Sequence, residues 1–253
     1  MTPASVGFQC PECVREGLAA TRSPRRAPLR SVGQKWGPVT LGLIAANVVV
    51  FIATAASAGI AGGNPLNNND SPLGHQLDQA PILVDIGQWW RVLTAAFEHV
   101  GVLHIVLNML ALLVFGTELE RAIGRWRFLG LYVVSLLGGA LAIQLFGDPL
   151  QPVAGASTAI YGLLGGLGVL LLAGRQSLRG LVTLLVINIM ISVLVPNISL
   201  LGHIGGFVGG ALVTGLLVLT RRRPKVQVGA VVAMAVVLFA LAVTVPTAVV
   251  LGL

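Results

Sequence analysis

Two of the chain's apolar stretches carry a serine and a histidine at matched positions. Ser157 lies in Gly155-Ala156-Ser157-Thr158-Ala159-Ile160-Tyr161, and His203 in Gly202-His203-Ile204-Gly205-Gly206. A serine hydroxyl is a weak nucleophile near neutral pH and needs a base in contact, usually an imidazole. The pair therefore points to acyl transfer, with Ser157 as nucleophile and His203 as general base. A third stretch carries His104 and Asn108. Their i, i+4 spacing puts both on one helix face. Acyl transfer needs donors for a developing oxyanion, and the Asn108 amide, the His104 ring and the Ser157 backbone N–H are the candidates. Ser157 and Tyr161 share the same spacing, so Tyr161 can pack its ring against His203 and help orient it. No carboxylate lies at this depth to complete a triad, and the expected arrangement is a dyad.

The elements that must position these groups follow from composition. Of 253 residues, 55% are apolar and only 10% charged, and the mean hydropathy is +0.89. A soluble domain carries roughly 25% charge, so a water-soluble globular fold and a disordered chain are both excluded. After a polar, basic segment over 1–38, seven apolar stretches follow: Val39–Ala61, Val100–Leu119, Phe128–Phe146, Val153–Ala173, Leu181–Val195, Ile198–Thr220 and Val226–Leu253. Most reach the roughly 20 residues needed to cross hydrocarbon as a helix. Backbone polar groups must be satisfied within each span, which makes helices the expected form. Ala55-Ala56-Ser57-Ala58 resembles a signal-peptide cleavage site, but the basic segment before it is long for such a leader.

The formal charge is +7, and its placement explains it. Arg15, Arg22, Arg25, Arg26, Arg30 and Lys35 precede the first span. Arg121, Arg125 and Arg127 lie between the second and third, Arg175 and Arg179 between the fourth and fifth. Arg221, Arg222, Arg223 and Lys225 lie between the sixth and seventh. Only Arg91 falls on the opposite side. The positive-inside rule then puts the N-terminus in the cytoplasm and the C-terminus outside. The basic surplus is topological, and nucleic acid is not the expected partner.

With that topology, the second, fourth and sixth spans begin at the outer face. His104, Ser157 and His203 each fall about five residues past those starts, roughly 6–9 Å deep at 1.5 Å per residue. Ionisable groups within spans are costly and are functional candidates by default. Gly162, Gly165, Gly166 and Gly168 continue down the fourth span. The sixth carries Gly202 with Gly206, Gly205 with Gly209 and Gly206 with Gly210, all small-xxx-small pairs that let backbones approach. Gly155, Gly202 and Gly206 are the expected helix-packing glycines. Trp89 and Trp90, adjacent in the long outer connection Gly62–His99, suggest a segment lying in the membrane interface.

These pieces resemble the rhomboid intramembrane serine proteases. They are Trp90-Arg91 in the first outer loop, His99 with His104 and Asn108 in EHVGVLHIVLNMLAL, GASTAIYGLLGG at 155–166 and GHIGGFVGG at 202–210. The resemblance covers about 39–220. It implies an all-α polytopic membrane protein with a six-helix rhomboid core plus one C-terminal transmembrane helix. It implies Ser157 as nucleophile, His203 as base, Asn108 and His104 as oxyanion donors, Tyr161 stacked on the base, and Trp90-Arg91 as a structural loop motif. The family usually has glycine after the nucleophile, where this chain has Thr158. That substitution raises a question of backbone freedom and of crowding in the substrate cleft.

Blander readings stand beside these. A serine in a membrane helix usually bonds its own backbone carbonyl, but His203 at equal depth weighs against that for Ser157. His104 and Asn108 can also hold helices together. Asn188 and Ser192 read as interhelical hydrogen-bond partners, and His75 and His99 carry no assigned chemistry. Glu118 and Glu120 read as ion-paired helix ends near Arg121 and Arg125. Cys10 and Cys13 form half of a zinc-site pattern, whereas structural zinc takes four protein ligands; no metal or other cofactor is expected. The division is a basic segment over 1–38, a protease core over 39–220, and a linker with a seventh helix over 221–253. The expected function is hydrolysis of transmembrane or juxtamembrane segments of other membrane proteins. The expected setting is a bacterial plasma membrane, with the site open to the outer face. A non-proteolytic rhomboid-like chaperone is the alternative. A transporter would need midplane charges and inverted repeats, and neither is present.

Overall fold

The structure, a computed structural model, describes residues 2–3, 8–9, 36–194 and 198–247. The chain divides into two units, Met1–Lys35 and Trp36–Leu253. Within the first, β1 (Thr2–Pro3) pairs antiparallel with β2 (Phe8–Gln9). Cys10 and Cys13 lie outside the described residues, and so do the six basic residues of the N-terminal segment.

The second unit is helical. It comprises α1 (Pro38–Ile60), three short helices α2 (Gly74–Leu77), α3 (Pro81–Asp85) and α4 (Arg91–Thr94), and then α5 (Val102–Ile123). These are followed by α6 (Arg125–Phe146), α7 (Ser157–Ala173), α8 (Arg179–Leu194), α9 (Leu200–Leu219) and α10 (Pro224–Thr244). The long middle helix α5 carries one π-helical stretch, Leu112–Gly116. Among the described residues, α1, α5, α6, α9 and α10 are long and apolar enough to cross a membrane. With 17 and 16 residues, α7 and α8 fall short of that length. The protein is an all-α integral membrane protein.

The central helix is α6, whose Phe128, Leu131, Tyr132, Val134 and Leu137 are buried. Around it α7 and α9 close a seam of bare backbone. A Cβ on Gly206 would collide with the Thr158 carbonyl oxygen, one on Gly165 with that of Phe207, and one on Gly210 with that of Gly162. The third helix takes part as well, since a Cβ on Gly138 would lie 2.8 Å from the Gly205 carbonyl. Lipid tails are as apolar as leucine, so close backbone packing rather than hydrophobic exclusion drives such contacts.

Polar anchors hold the outer elements. Glu120 is buried and, among the described residues, has no ion pair with the arginines the sequence suggests. Its carboxylate accepts from Val39 N–H (3.1 Å), Thr40 N–H (2.8 Å) and the Thr40 hydroxyl (2.8 Å). It thus caps the start of α1, where unpaired N–H groups and the helix dipole favour a negative charge. Glu118 is the exposed member, paired with Arg121 at 3.2 Å.

Candidate active site

The serine's helix starts later than expected. The apolar stretch runs from Val153, whereas α7 begins at Ser157. Gly155 has φ +122°, a conformation L side chains rarely adopt. Residues 153–155 are instead pinned to the first loop. Gln79 and Val153 exchange two backbone hydrogen bonds (2.9 and 3.0 Å), and Gly155 N–H donates to Ala95 O at 2.8 Å. Gly155 therefore sits in a turn rather than in a helix seam. Its missing Cβ makes room for His104, whose Nε2 would lie 2.8 Å from it. Ser157 is the first residue of α7, His104 the third of α5 and His203 the fourth of α9. All three lie in the first turn of their helices.

His203 comes from α9, whose start is capped by Ser199, the hydroxyl accepting from Gly202 N–H at 3.1 Å. Across the seam, His203 Nε2 lies 2.9 Å from Ser157 Oγ. Tyr161, one turn below Ser157, stacks on the imidazole with centroids 3.9 Å apart and planes 8° from parallel. His203 is buried and Ser157 half-buried. On the imidazole's far side, Nδ1 lies 2.9 Å from the Ser192 hydroxyl of α8. The sequence marks Ser192 as an interhelical partner without naming whose; a lone serine in an apolar helix carries no signal for its partner.

His104 and Asn108 share a face of α5 as the spacing requires. Asn108 is buried and spends one amide hydrogen on its own helix, donating to His104 O at 2.9 Å. His99, passed over in the sequence, is fully buried. Its Nε2 accepts the Ala156 N–H at 3.3 Å, and its Nδ1 faces Phe97 O at 3.3 Å. It thus holds the residue next to Ser157. Burial, and then the neighbouring His104, push the His99 ring down to about 3. That suits a neutral ring that must accept at Nε2.

Thr158 answers the question its position raised. It is an ordinary helical residue of α7, so no special backbone freedom is needed there. Its side chain fills the space left by two glycines: a Cβ on Gly139 or on Gly202 would come within 2.8 Å of it. It also lines a small cavity of about 10 Å³ beside the serine turn, with Val92, Ala96, Ala140, Ile143 and Gly155.

The first loop braces this turn. Arg91 is buried, its Nη1 donating to Asp78 O (2.7 Å) and Oδ1 (2.8 Å) and its Nε to Gln88 Oε1 (2.7 Å). Trp90 donates from Nε1 to Gln76 O at 3.1 Å. Trp89 is half exposed and meets Phe239 of α10 edge-on, at 6.3 Å. Nearby, Glu98 is buried, and burial followed by the Asp78 charge pushes it up to about 7.

Comparison with known proteins follows the same residues. The Rhomboid domain family matches 86–221. Rhomboid protease GluP of Bacillus subtilis (strain 168) is 38% identical over 133 residues, covering 51% of this chain and 26% of that protein. Putative rhomboid protease YdcA of the same organism is 33% identical over 143 residues, 54% of this chain and 71% of that protein. RHOMBOID-like protein 5 of Arabidopsis thaliana is 34% identical over 145 residues, 54% of this chain and 47% of that protein.

Proposed function

The chain belongs to the rhomboid family, a family with members named as proteases, and from that premise we propose that it is an intramembrane serine endopeptidase working by a Ser157–His203 dyad. The reading rests on one observation above the rest, the 2.9 Å contact between Ser157 Oγ and His203 Nε2 across two helices.

Ser157 Oγ attacks the scissile carbonyl carbon while His203 Nε2 takes its proton. The carbonyl oxygen becomes an oxyanion, and Ser157 N–H, the second Asn108 amide hydrogen and the His104 ring are the donors for it. His203 then gives its proton to the leaving amine as the C–N bond breaks. A water molecule, deprotonated by His203, hydrolyses the acyl ester and frees Ser157. The carry-over is supported by residue type, by the position of His104, Ser157 and His203 in the first turns of α5, α7 and α9, and by Asn108 one turn below His104.

The substrates in this reading are other membrane proteins, cut within or next to a transmembrane segment. A helical peptide bond is shielded, so segments with small or helix-breaking residues are favoured. Charge placement favours a cytoplasmic N-terminus and a site near the outer face; a bacterial plasma membrane is the proposed setting. We assign the protease core to 39–220 and the basic linker with α10 to 221–253.

The test is cleavage of a model transmembrane substrate in liposomes by the parent, Ser157→Ala and His203→Ala. Cleavage by the parent with at least about 10³-fold loss in each variant is expected. Cleavage that survives Ser157→Ala overturns the mechanism. A parent inactive on several substrates points to a client-binding protein.

A further inference from the structure

Ser157 and His203 can react only if the imidazole lone pair is on Nε2, and nothing in the dyad itself decides that. A neutral histidine carries its proton on one nitrogen or the other, and the hydrogen bond at Nδ1 selects which. The group at Nδ1 is Ser192 Oγ at 2.9 Å. A hydroxyl has one hydrogen and two lone pairs. Ser192 Oγ donates its hydrogen to Asn188 O at 2.9 Å, one turn back along α8. Both lone pairs then remain for donors. One faces His203 Nδ1, and the other faces the Tyr161 hydroxyl at 3.4 Å. This count leaves Ser192 no hydrogen to offer the imidazole, so the proton must sit on Nδ1 and the lone pair on Nε2.

We propose that Ser192 is a positioning residue for this site: by accepting the Nδ1–H of His203 it selects the tautomer that can deprotonate Ser157. The inference rests on the dyad reading above. Ser192 touches no reacting atom. Its effect is to hold the ring's proton and plane, and to accept from Nδ1–H more strongly as the ring becomes imidazolium during attack. Tyr161 contributes twice, by its stacked ring and by its hydroxyl on Ser192.

Ser192→Val and Ser192→Thr separate this role from packing, because the two are nearly isosteric and only threonine keeps the hydroxyl and its bond to the Asn188 carbonyl. Each variant is compared with the parent and Ser157→Ala in kcat, KM, the rate of Ser157 labelling by a fluorophosphonate, and thermal unfolding in detergent. For Ser192→Val, kcat and labelling should both fall about 10- to 100-fold with KM within about twofold, the size of a lost charge-assisted hydrogen bond. Ser192→Thr should restore both to within about threefold of the parent. Ser192→Val labelled as fast as the parent, while Ser157→Ala is not labelled, overturns the proposal and leaves the dyad standing. Loss of activity in Ser192→Thr equal to that in Ser192→Val, with both melting early, also overturns it, since packing alone would explain that. A parent that neither cleaves nor labels overturns the dyad, and this inference with it.

Discussion

Two helices reach the candidate base, and they do so by opposite means. Between α7 and α9 the contact at Gly162, Gly206 and Gly210 is backbone against backbone. By contrast, α8 presents mostly lipid-facing side chains, including Val186, Ile189 and Val193, and meets the site through the Ser192 hydroxyl. The difference separates two tasks. The Ser157–His203 distance is set by a rigid seam, where one added carbon atom displaces a helix. The protonation pattern of His203 is set by one hydrogen bond to a side chain of α8. Distance is thus stored in the least adjustable part of the molecule, and the proton's position in a more adjustable one.

Breaking the seam has the largest expected effect. Gly206→Val drives a side chain into the Thr158 carbonyl and should cost about 3 kcal/mol, the upper range for overpacking, and abolish cleavage. Ile189→Ala on α8, facing lipid, should leave stability within about 0.5 kcal/mol by the same denaturation measurement. Equal losses at the two positions would erase the contrast.

The first loop adds a support that titrates, which a backbone seam cannot. Glu98 keeps its proton up to about 7 in the folded chain, against 4.5 ordinarily. Its contribution is complete below pH 4.5 and is lost as pH rises through 7. His99 runs the other way, at about 3 against 6.5; its contribution is complete above pH 6.5 and is lost as pH falls toward 3. In the parent the two slopes oppose each other between these limits. Glu98→Gln should uncover the His99 slope, so that unfolding temperature climbs to about pH 6.5 and then levels. An unchanged pH curve would remove Glu98 from this account.

A smaller effect is expected where side chain and seam meet. Thr158→Gly leaves a void between Gly139 and Gly202 and should cost about 1–2 kcal/mol. It should also widen the cavity beside Ser157, so that substrates with larger residues near the cut are cleaved relatively faster. No change in substrate preference would mean that Thr158 serves packing alone.

The smallest effect belongs to a control pair on α5. Glu118→Gln removes an exposed ion pair and should shift stability by less than about 0.5 kcal/mol. Glu120→Gln, two residues on, should cost clearly more, because it weakens the cap on α1. Similar values for both would mean that the cap contributes nothing.

Adjacent residues of this kind mark how far the sequence can be read. Glu118 and Glu120 look alike in sequence, and only the arrival of Thr40 from α1 makes one a cap. Gly155 looks like the other glycines of its stretch, yet it forms a turn because Val153 pairs with Gln79 of the first loop. His99 shows no pattern that leads to Ala156, more than fifty positions away. Gly138 and Gly139 stand in small-xxx-small pairs with Ala142 and Ser135, but which backbone they admit is settled only against Gly205, Gly202 and Thr158.

By itself the sequence determined the solvent this chain folds in, because 55% apolar and 10% charged residues cannot fold as a water-soluble globule. It also determined that the polar residues inside the spans are few, that His104, Ser157 and His203 fall near the starts of their stretches, and that Asn108 and Tyr161 follow four residues later. Composition and period are local properties, and they survive without knowledge of neighbours. The tertiary structure decided the rest: where α7 begins, which glycines carry the seam, which glutamate is buried, and that Ser192 stands on Nδ1 of His203. Each of those depends on atoms brought together from distant parts of the chain, and a hydrogen bond has no partner until the helices have packed.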